Sequence, residues 1–191
     1  MPEILLSDKH IYTVDGTPYD GVTTVIREMG LMPSFSPQGL DWYLQRGTFI
    51  HLATELYDRD DLDESSIDPQ IAGYLESYKK MNLSYRPEEI EIRLCDKIYQ
   101  IAGTLDRLDC DLKSGVQAKW HMIQASIYWH LKKINGLGEK PLRTIYLQED
   151  GSIPKIQAYT IKDMLMGTKV FLSALFVMRW KRKNWVESQD N

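Results

Sequence analysis

The chain is poor in cysteine, with two among 191 residues, Cys95 and Cys110. A four-cysteine zinc or iron–sulfur site is therefore excluded within one chain. Both cysteines fall on adjacent predicted strands and read as reduced core residues rather than a disulfide. Long apolar runs are missing as well. The best candidate, Val170 to Met178, falls well short of the roughly 18 residues a membrane span requires. The N-terminus has neither the basic and apolar regions of a signal peptide nor the Arg-rich character of a transit peptide, so a cytoplasmic address is expected. There is no excess of basic charge: the net charge is −4, which disfavours a protein that coats nucleic acid non-specifically but leaves local contacts open. No internal repeat and no low-complexity segment interrupts the chain.

What is present is an ordinary globular composition, 43% hydrophobic and 26% charged. Residues 1–191 read as a single domain, large enough to bury about 70% of its unfolded surface. The coarse pattern mixes both element types. Ile11–Val14, a turn at Asp15-Gly16 and Val22–Val25 entering a helix form an opening hairpin. The prolines of Met32–Pro37 make a loop. A helix is expected over Leu40–Tyr57 and an exposed acidic connection over Asp58–Gln70. A second helix spans Ile71–Asn82. Strands follow at Glu89–Leu94, Tyr99–Asp106 and Cys110–Lys113, then a helix at Val116–Ile134. Leu142–Leu147 and Ile156–Tyr159 make a late hairpin around Asp150-Gly151. Thr160 and Asp163 have the spacing of a capping box ahead of a helix to about Lys181, apolar enough to be expected on the sheet.

The chemistry concentrates in GTLDRLDCDLK and the helix after it. Alternation along a strand puts Asp111 and Lys113 on one side and Leu112 on the other. If Leu108-Asp109 is a two-residue turn, Arg107 pairs with Cys110 and Asp106 lies opposite Asp111, with Cβ atoms about 4.5–5.5 Å apart. Carboxylates that close repel unless a cation lies between them. Oxygen-rich ligation suits Mg2+ or Mn2+, and a histidine ligand tilts toward manganese. Gln124 and Tyr128 are four apart and share a helical face; both side chains can bond phosphate oxygens. His51 and Glu55 are likewise four apart on their helix. Glu91 alternates with Ile90 and Ile92, as a solvent-face residue or an extra acid near the metal. Of the basic clusters, Lys132-Lys133 is the best placed to meet a phosphate backbone, since it follows Gln124 and Tyr128 on the same helix. Taken singly, each of these features is matched by a bland reading: surface acids at a turn, a solvated lysine, a polar helix edge.

Together, RGTFIH (Arg46–His51), AGTLD ending at Asp106, DLK (Asp111–Lys113) and QASIY (Gln124–Tyr128) resemble the RecB-type exonuclease branch of the PD-(D/E)XK nucleases, in the family's order and over about two thirds of the chain. The resemblance implies an α/β, restriction-endonuclease-like core with a central mixed sheet flanked by helices. It implies a metal-dependent DNA exonuclease of recombination, repair or end processing, in a bacterial or phage-infected cell. His51, Asp106, Asp111 and the Leu112 carbonyl would hold Mg2+ or Mn2+, and Asp106, Asp111 and Lys113 would form the catalytic set. Gln124 and Tyr128 would contact DNA, with Glu55 and Glu91 in the outer shell. Some relatives carry an iron–sulfur cluster, which two cysteines cannot ligate alone. The hairpin between the two aspartates is shorter here than the family usually has. That departure supports a rival reading, a catalytically inactive DNA-binding protein that retains the fold. A second rival is a metal hydrolase acting on something other than DNA.

Overall fold

The structure, a computed structural model, describes residues 2–7, 10–33, 40–81 and 83–185. Parts of the proline loop, Asn82 and the tail beyond Trp185 lie outside the described residues.

The chain opens with three short strands, β1 (Ile4–Leu6), β2 (Tyr12–Val14) and β3 (Thr17–Gly21). Asp15 and Gly16, at φ of 47° and 79°, make the β2–β3 turn, the left-handed pair that a two-residue hairpin favours. β1 was not legible in the sequence. Val22–Val25, expected as strand entering helix, is helix throughout: α1 runs Val22–Glu28 and buries Val22, Val25 and Ile26. The β-branched residues that suggested a strand are accommodated because they face the core, where packing outweighs propensity.

Helices α2 (Leu40–Asp58) and α3 (Pro69–Lys79) follow. The acidic connection caps a single 3-10 turn, Glu64–Ser66, and then α3. Asp63 accepts from Ser65 N at 2.9 Å, and Asp68 accepts from Gln70 N at 2.8 Å with Pro69 in the first turn, a good N-terminal arrangement. Next come β4 (Ile90–Asp96), β5 (Ile101–Arg107), β6 (Cys110–Lys113), α4 (Trp120–Ile134), β7 (Arg143–Tyr146), β8 (Lys155–Ala158) and α5 (Ile161–Trp185). Val116 precedes α4 rather than beginning it and is 89% exposed.

The sheet is mixed, in the order β1-β2-β3-β5-β6-β7-β8, with β4 on β5. β5 is its centre. β4 runs antiparallel along one whole edge. The other edge is divided: β3 pairs in parallel at Ile101 and Ala102, and β6 pairs antiparallel at Arg107. β7 lies parallel to β6, pairing Asp111 with Thr144 and Lys113 with Tyr146. Two cores flank the sheet. Val25, Ile101, Leu105, Ile127 and Phe171 join α1, α4 and α5 on one side. Ile50, Tyr74, Tyr78, Leu112 and Ile145 join α2 and α3 on the other. The fold is thus α/β, with a mixed central sheet flanked by helices.

The Thr160–Asp163 capping box forms, with Asp163 N donating to Thr160 Oγ1 at 3.2 Å and Asp163 accepting from Thr160 N at 2.8 Å. α5 does not lie directly on the sheet, however. It packs on α4 and α1, because Gly167 presses against Ser126. A Cβ at Gly167 would lie 2.2 Å from the Ser126 hydroxyl, and Thr168 Oγ1 donates to the Ser126 carbonyl at 3.1 Å. Phe176, on the outer side of α5, is 55% exposed.

Candidate metal centre

The site grows out of the β5–β6 hairpin. Its turn is Leu108-Asp109 and its closing pair is Arg107 with Cys110, as the spacing predicts. The next pair of a regular ladder would be Asp106 with Asp111. Instead the strands part, and Asp106 Oδ2 accepts a hydrogen bond from the Leu112 N–H at 2.7 Å. A side-chain carboxylate thereby satisfies a backbone donor that would otherwise be buried unpaired. The other oxygen, Oδ1, stands 3.5 Å from His51 Nδ1, delivered by α2.

Glu91 completes the cluster from β4. Residues 90 and 92 pair with Arg107 and Leu105, so register sets Glu91 against Asp106. Glu91 itself has φ of 50°, a left-handed conformation that costs a non-glycine residue about 1–2 kcal/mol. Such strain persists only where the surroundings enforce it and is common at functional sites. His51, Glu91 and Asp106 each present one ligand atom within 4.8 Å of the others. Glu91 Oε1 is buried without a hydrogen bond, the Arg107 guanidinium standing 3.7 Å away. Burial, and after it the Asp106 charge, push the Glu91 carboxyl up to about 8. An orphaned carboxylate oxygen among a histidine and a second acid fits a hard or borderline divalent cation.

Arg107 is fully buried and holds this corner from behind. Its Nε donates to Asp58 Oδ2 at 2.5 Å, and the Tyr78 hydroxyl donates to the same oxygen at 2.7 Å. Asp58, expected to open a solvated acidic connection, is instead the buried partner of an arginine. Nothing local in the sequence marks either residue. The partnership joins α2 to β5 across 49 positions.

Asp111 and Lys113 do share a side of β6. Lys113 Nζ pairs with Asp111 Oδ2 at 2.6 Å. Asp111 is 1% exposed. Its burial raises the carboxyl to about 6 against the opposing pull of Lys113, with Asp106 adding to the rise. Asp111 therefore feels Asp106 and His51 but stands outside the tightest group of ligand atoms. Leu112 is buried between them, its N–H committed to Asp106. Sequence reasoning also missed His121, whose Nδ1 is 2.8 Å from the Tyr146 hydroxyl. Burial, followed by Lys113, lowers His121 to about 4, so the ring is neutral beside the lysine. Trp120 lies 5.9 Å beneath Lys113 Nζ.

Gln124 and Tyr128 share a helical face, but it is the inward one: they are 6% and 5% exposed. The Tyr128 ring covers Gly103, where a Cβ would come within 2.6 Å of it. Gln124 donates to Thr23 Oγ1 at 3.4 Å, and its Oε1 is buried without a hydrogen bond. Tyr128 is raised well above the ordinary tyrosine value by burial. Glu55 pairs with Arg59 at 3.0 Å, and its charge adds to the rise at Glu91. Arg46 donates to the Ser114 carbonyl at 3.3 Å. Lys132, expected as a DNA contact, is 2% exposed and donates to the carbonyls of Leu108 and Lys140 at 3.3 and 2.8 Å. Lys133 instead pairs with Glu139 at 3.2 Å.

Among the described residues, no helix is long and apolar enough to cross a membrane. No protein-family model matches the chain, and no curated protein matches it.

Proposed function

We propose that the protein is a divalent-metal-dependent DNA exonuclease of the PD-(D/E)XK type, hydrolysing phosphodiester bonds in recombination, repair or end processing. The observation that carries the reading is the convergence of His51, Glu91 and Asp106 within 4.8 Å, beside the Asp111–Lys113 pair of the adjacent strand. The strand arrangement supports it: β4, β5 and β6 antiparallel, β7 parallel to β6, and helices on both faces. In this reading Glu91, assigned to the outer shell from sequence, joins His51 and Asp106 as a ligand of Mg2+ or Mn2+, and Asp111 and the Leu112 carbonyl remain candidates behind them.

A cation bound there would polarise a phosphate oxygen and make a nearby water more acidic. Lys113, held by Asp111, orients the attacking water and offsets charge developing on the phosphate. Gln124 and Tyr128, both buried, support the site from below by packing α4 against β5 rather than by touching the strand. The neutral His121 ring and Tyr146 keep the lysine side of the site dry and hydrogen-bonded.

The test incubates the full chain with end-labelled linear single- and double-stranded DNA and a closed circle, with Mg2+, Mn2+ or EDTA, alongside Lys113→Ala. Metal-dependent loss of linear DNA that spares the circle and vanishes in the variant supports the reading. Metal binding without cleavage sinks it in favour of an inactive DNA-binding protein, the alternative that the single-pair hairpin favours.

A further inference from the structure

A second concavity opens directly beyond Lys113. The last register pair of the parallel strands β6 and β7 is Lys113 with Tyr146, and the residues that follow on both strands wall a pocket at their carboxyl ends. It is a half-open cleft of about 200 Å3, lined by Tyr74, Ser114, Gln117, Gln148, Glu149 and Lys155 among others. In open α/β sheets, ligands lie outside the carboxyl ends of the strands.

The walls are anchored. α3 is fastened to the β7–β8 connection at Gly73, where a Cβ would fall 1.7 Å from the Glu149 carbonyl oxygen. Gln148 N donates to Ser77 Oγ at 3.0 Å, and Lys80 Nζ donates to the Gly151 carbonyl at 2.5 Å. The Arg46 bond to Ser114 ties the opposite wall to α2. Two carboxamides are oriented by bonds of their own: Gln117 Nε2 donates to Gln157 Oε1 at 2.7 Å, and Gln148 Nε2 to the Tyr146 carbonyl at 2.6 Å. A carboxamide has two N–H donors and two acceptor lone pairs, so each retains capacity for a ligand. The Tyr74 hydroxyl donates to Glu149 Oε2 at 3.3 Å.

One acid, one lysine, two amides and aromatic rings make a site with mixed donors and acceptors and no excess of positive charge. That chemistry suits a neutral planar heterocycle with a donor–acceptor edge better than a polyanionic phosphate. We propose that this pocket receives the nucleobase adjoining the bond to be cut, an inference that rests on the nuclease reading. A base inside it has left its stack and its pairing partner, a cost that is smallest for single strands and frayed ends. The pocket therefore selects unpaired termini.

The test titrates the full chain, in Mg2+ and in EDTA, with deoxynucleoside 5′-monophosphates and with deoxyribose 5-phosphate, which has the same phosphate and no base. The variant Gln117→Ala/Lys155→Ala changes two exposed residues and spares the fold. Nucleotides are expected to bind at least tenfold more tightly than the sugar phosphate, and the variant to lose that advantage while binding the sugar phosphate unchanged. Equal affinity for the two probes in the unaltered protein overturns the inference, as does a variant that keeps the full preference. Base-dependent binding in a chain that cleaves no DNA removes the nuclease reading alone. Cleavage without base-dependent binding removes the pocket assignment alone.

Discussion

Glu91 and Asp106 face each other at the point where the β4–β5 ladder is interrupted, between the pairs Ile90–Arg107 and Ile92–Leu105. Two carboxyl groups are thus held together in a partly buried place, with one of them in a backbone conformation it would not choose. Like charges so placed cannot both ionise at low cost. The arrangement is unfavourable as it stands, and a cation bound between the two acids would offset that cost.

Metal-induced stabilisation should therefore depend on all three ligands. With Mg2+ or Mn2+ about 100-fold above its Kd, a ligand-bound native state gains about 2.7 kcal/mol, which is a rise in Tm of roughly 5–10 °C for a domain of this size. His51→Ala, Glu91→Gln and Asp106→Asn are each expected to abolish most of that rise in differential scanning calorimetry. A Glu91→Gln protein that keeps the full shift would remove Glu91 from the ligand set.

The same acids set a pH dependence. Glu91 is raised from 4.5 to about 8 and Asp111 from 3.8 to about 6, both foremost by burial. A folded-state pKa above the unfolded one stabilises the native state while the group is protonated, and that stability is lost as pH rises through the folded value. In EDTA the contribution of these two acids falls between about pH 4 and 8, and Glu91→Gln flattens the part between about 6 and 8. Added Mg2+ raises Tm more at pH 8 than at pH 6, because ligation requires the deprotonated acids. Melting curves across this range, with and without metal, measure both slopes.

Backbone strain at Glu91 can be separated from its charge. Glycine adopts φ of 50° without penalty, so Glu91→Gly should be more stable than Glu91→Gln in the absence of metal, by about 1 kcal/mol. Urea denaturation compares the two; a Gly variant less stable than the Gln variant would mean that the left-handed backbone carries no cost.

Lys113→Ala should lower the rate of DNA cleavage about 1,000-fold, equivalent to about 4 kcal/mol of barrier. It also leaves the buried Asp111 without its cation, a destabilising change. Asp111→Asn/Lys113→Met removes both charges and is expected to melt at a higher temperature than Lys113→Ala. Single-turnover rates and Tm values for the pair of variants divide the catalytic loss from the structural one.

The strands around the motif were legible because alternation and a two-residue turn are local: Arg107 opposite Cys110, and Asp111 beside Lys113, follow from spacing alone. His51 and Asp106 were singled out through their order along the chain, and the structure brings them within 3.5 Å. Glu91 was seen but left between a solvent-facing acid and an extra one, since no residue pattern announces a left-handed φ inside a strand. Gln124 and Tyr128 share one face of their helix, as their spacing predicts, but that face turns inward and not toward DNA. Their polar groups suggested solvent, whereas Gly103 opens a space beneath the helix that a tyrosine ring fills. Asp58 and Lys132 were misread for the same reason. A buried charge is identified only by its distant partner, Arg107 in one case and two backbone carbonyls in the other.

The hydrogen bond from Leu112 N–H to Asp106 Oδ2 rations what the site can offer. With Oδ2 engaged by that amide, Asp106 would meet a cation foremost through Oδ1, a monodentate contact. A monodentate aspartate, an imidazole and a glutamate leave about half of an octahedral shell to water and substrate. Such a shell favours a small ion that keeps its waters over a large one that seeks bidentate carboxylates. On that count Ca2+ should occupy the centre less well than Mg2+ or Mn2+, and the discrimination would originate in a main-chain amide that never meets the ion.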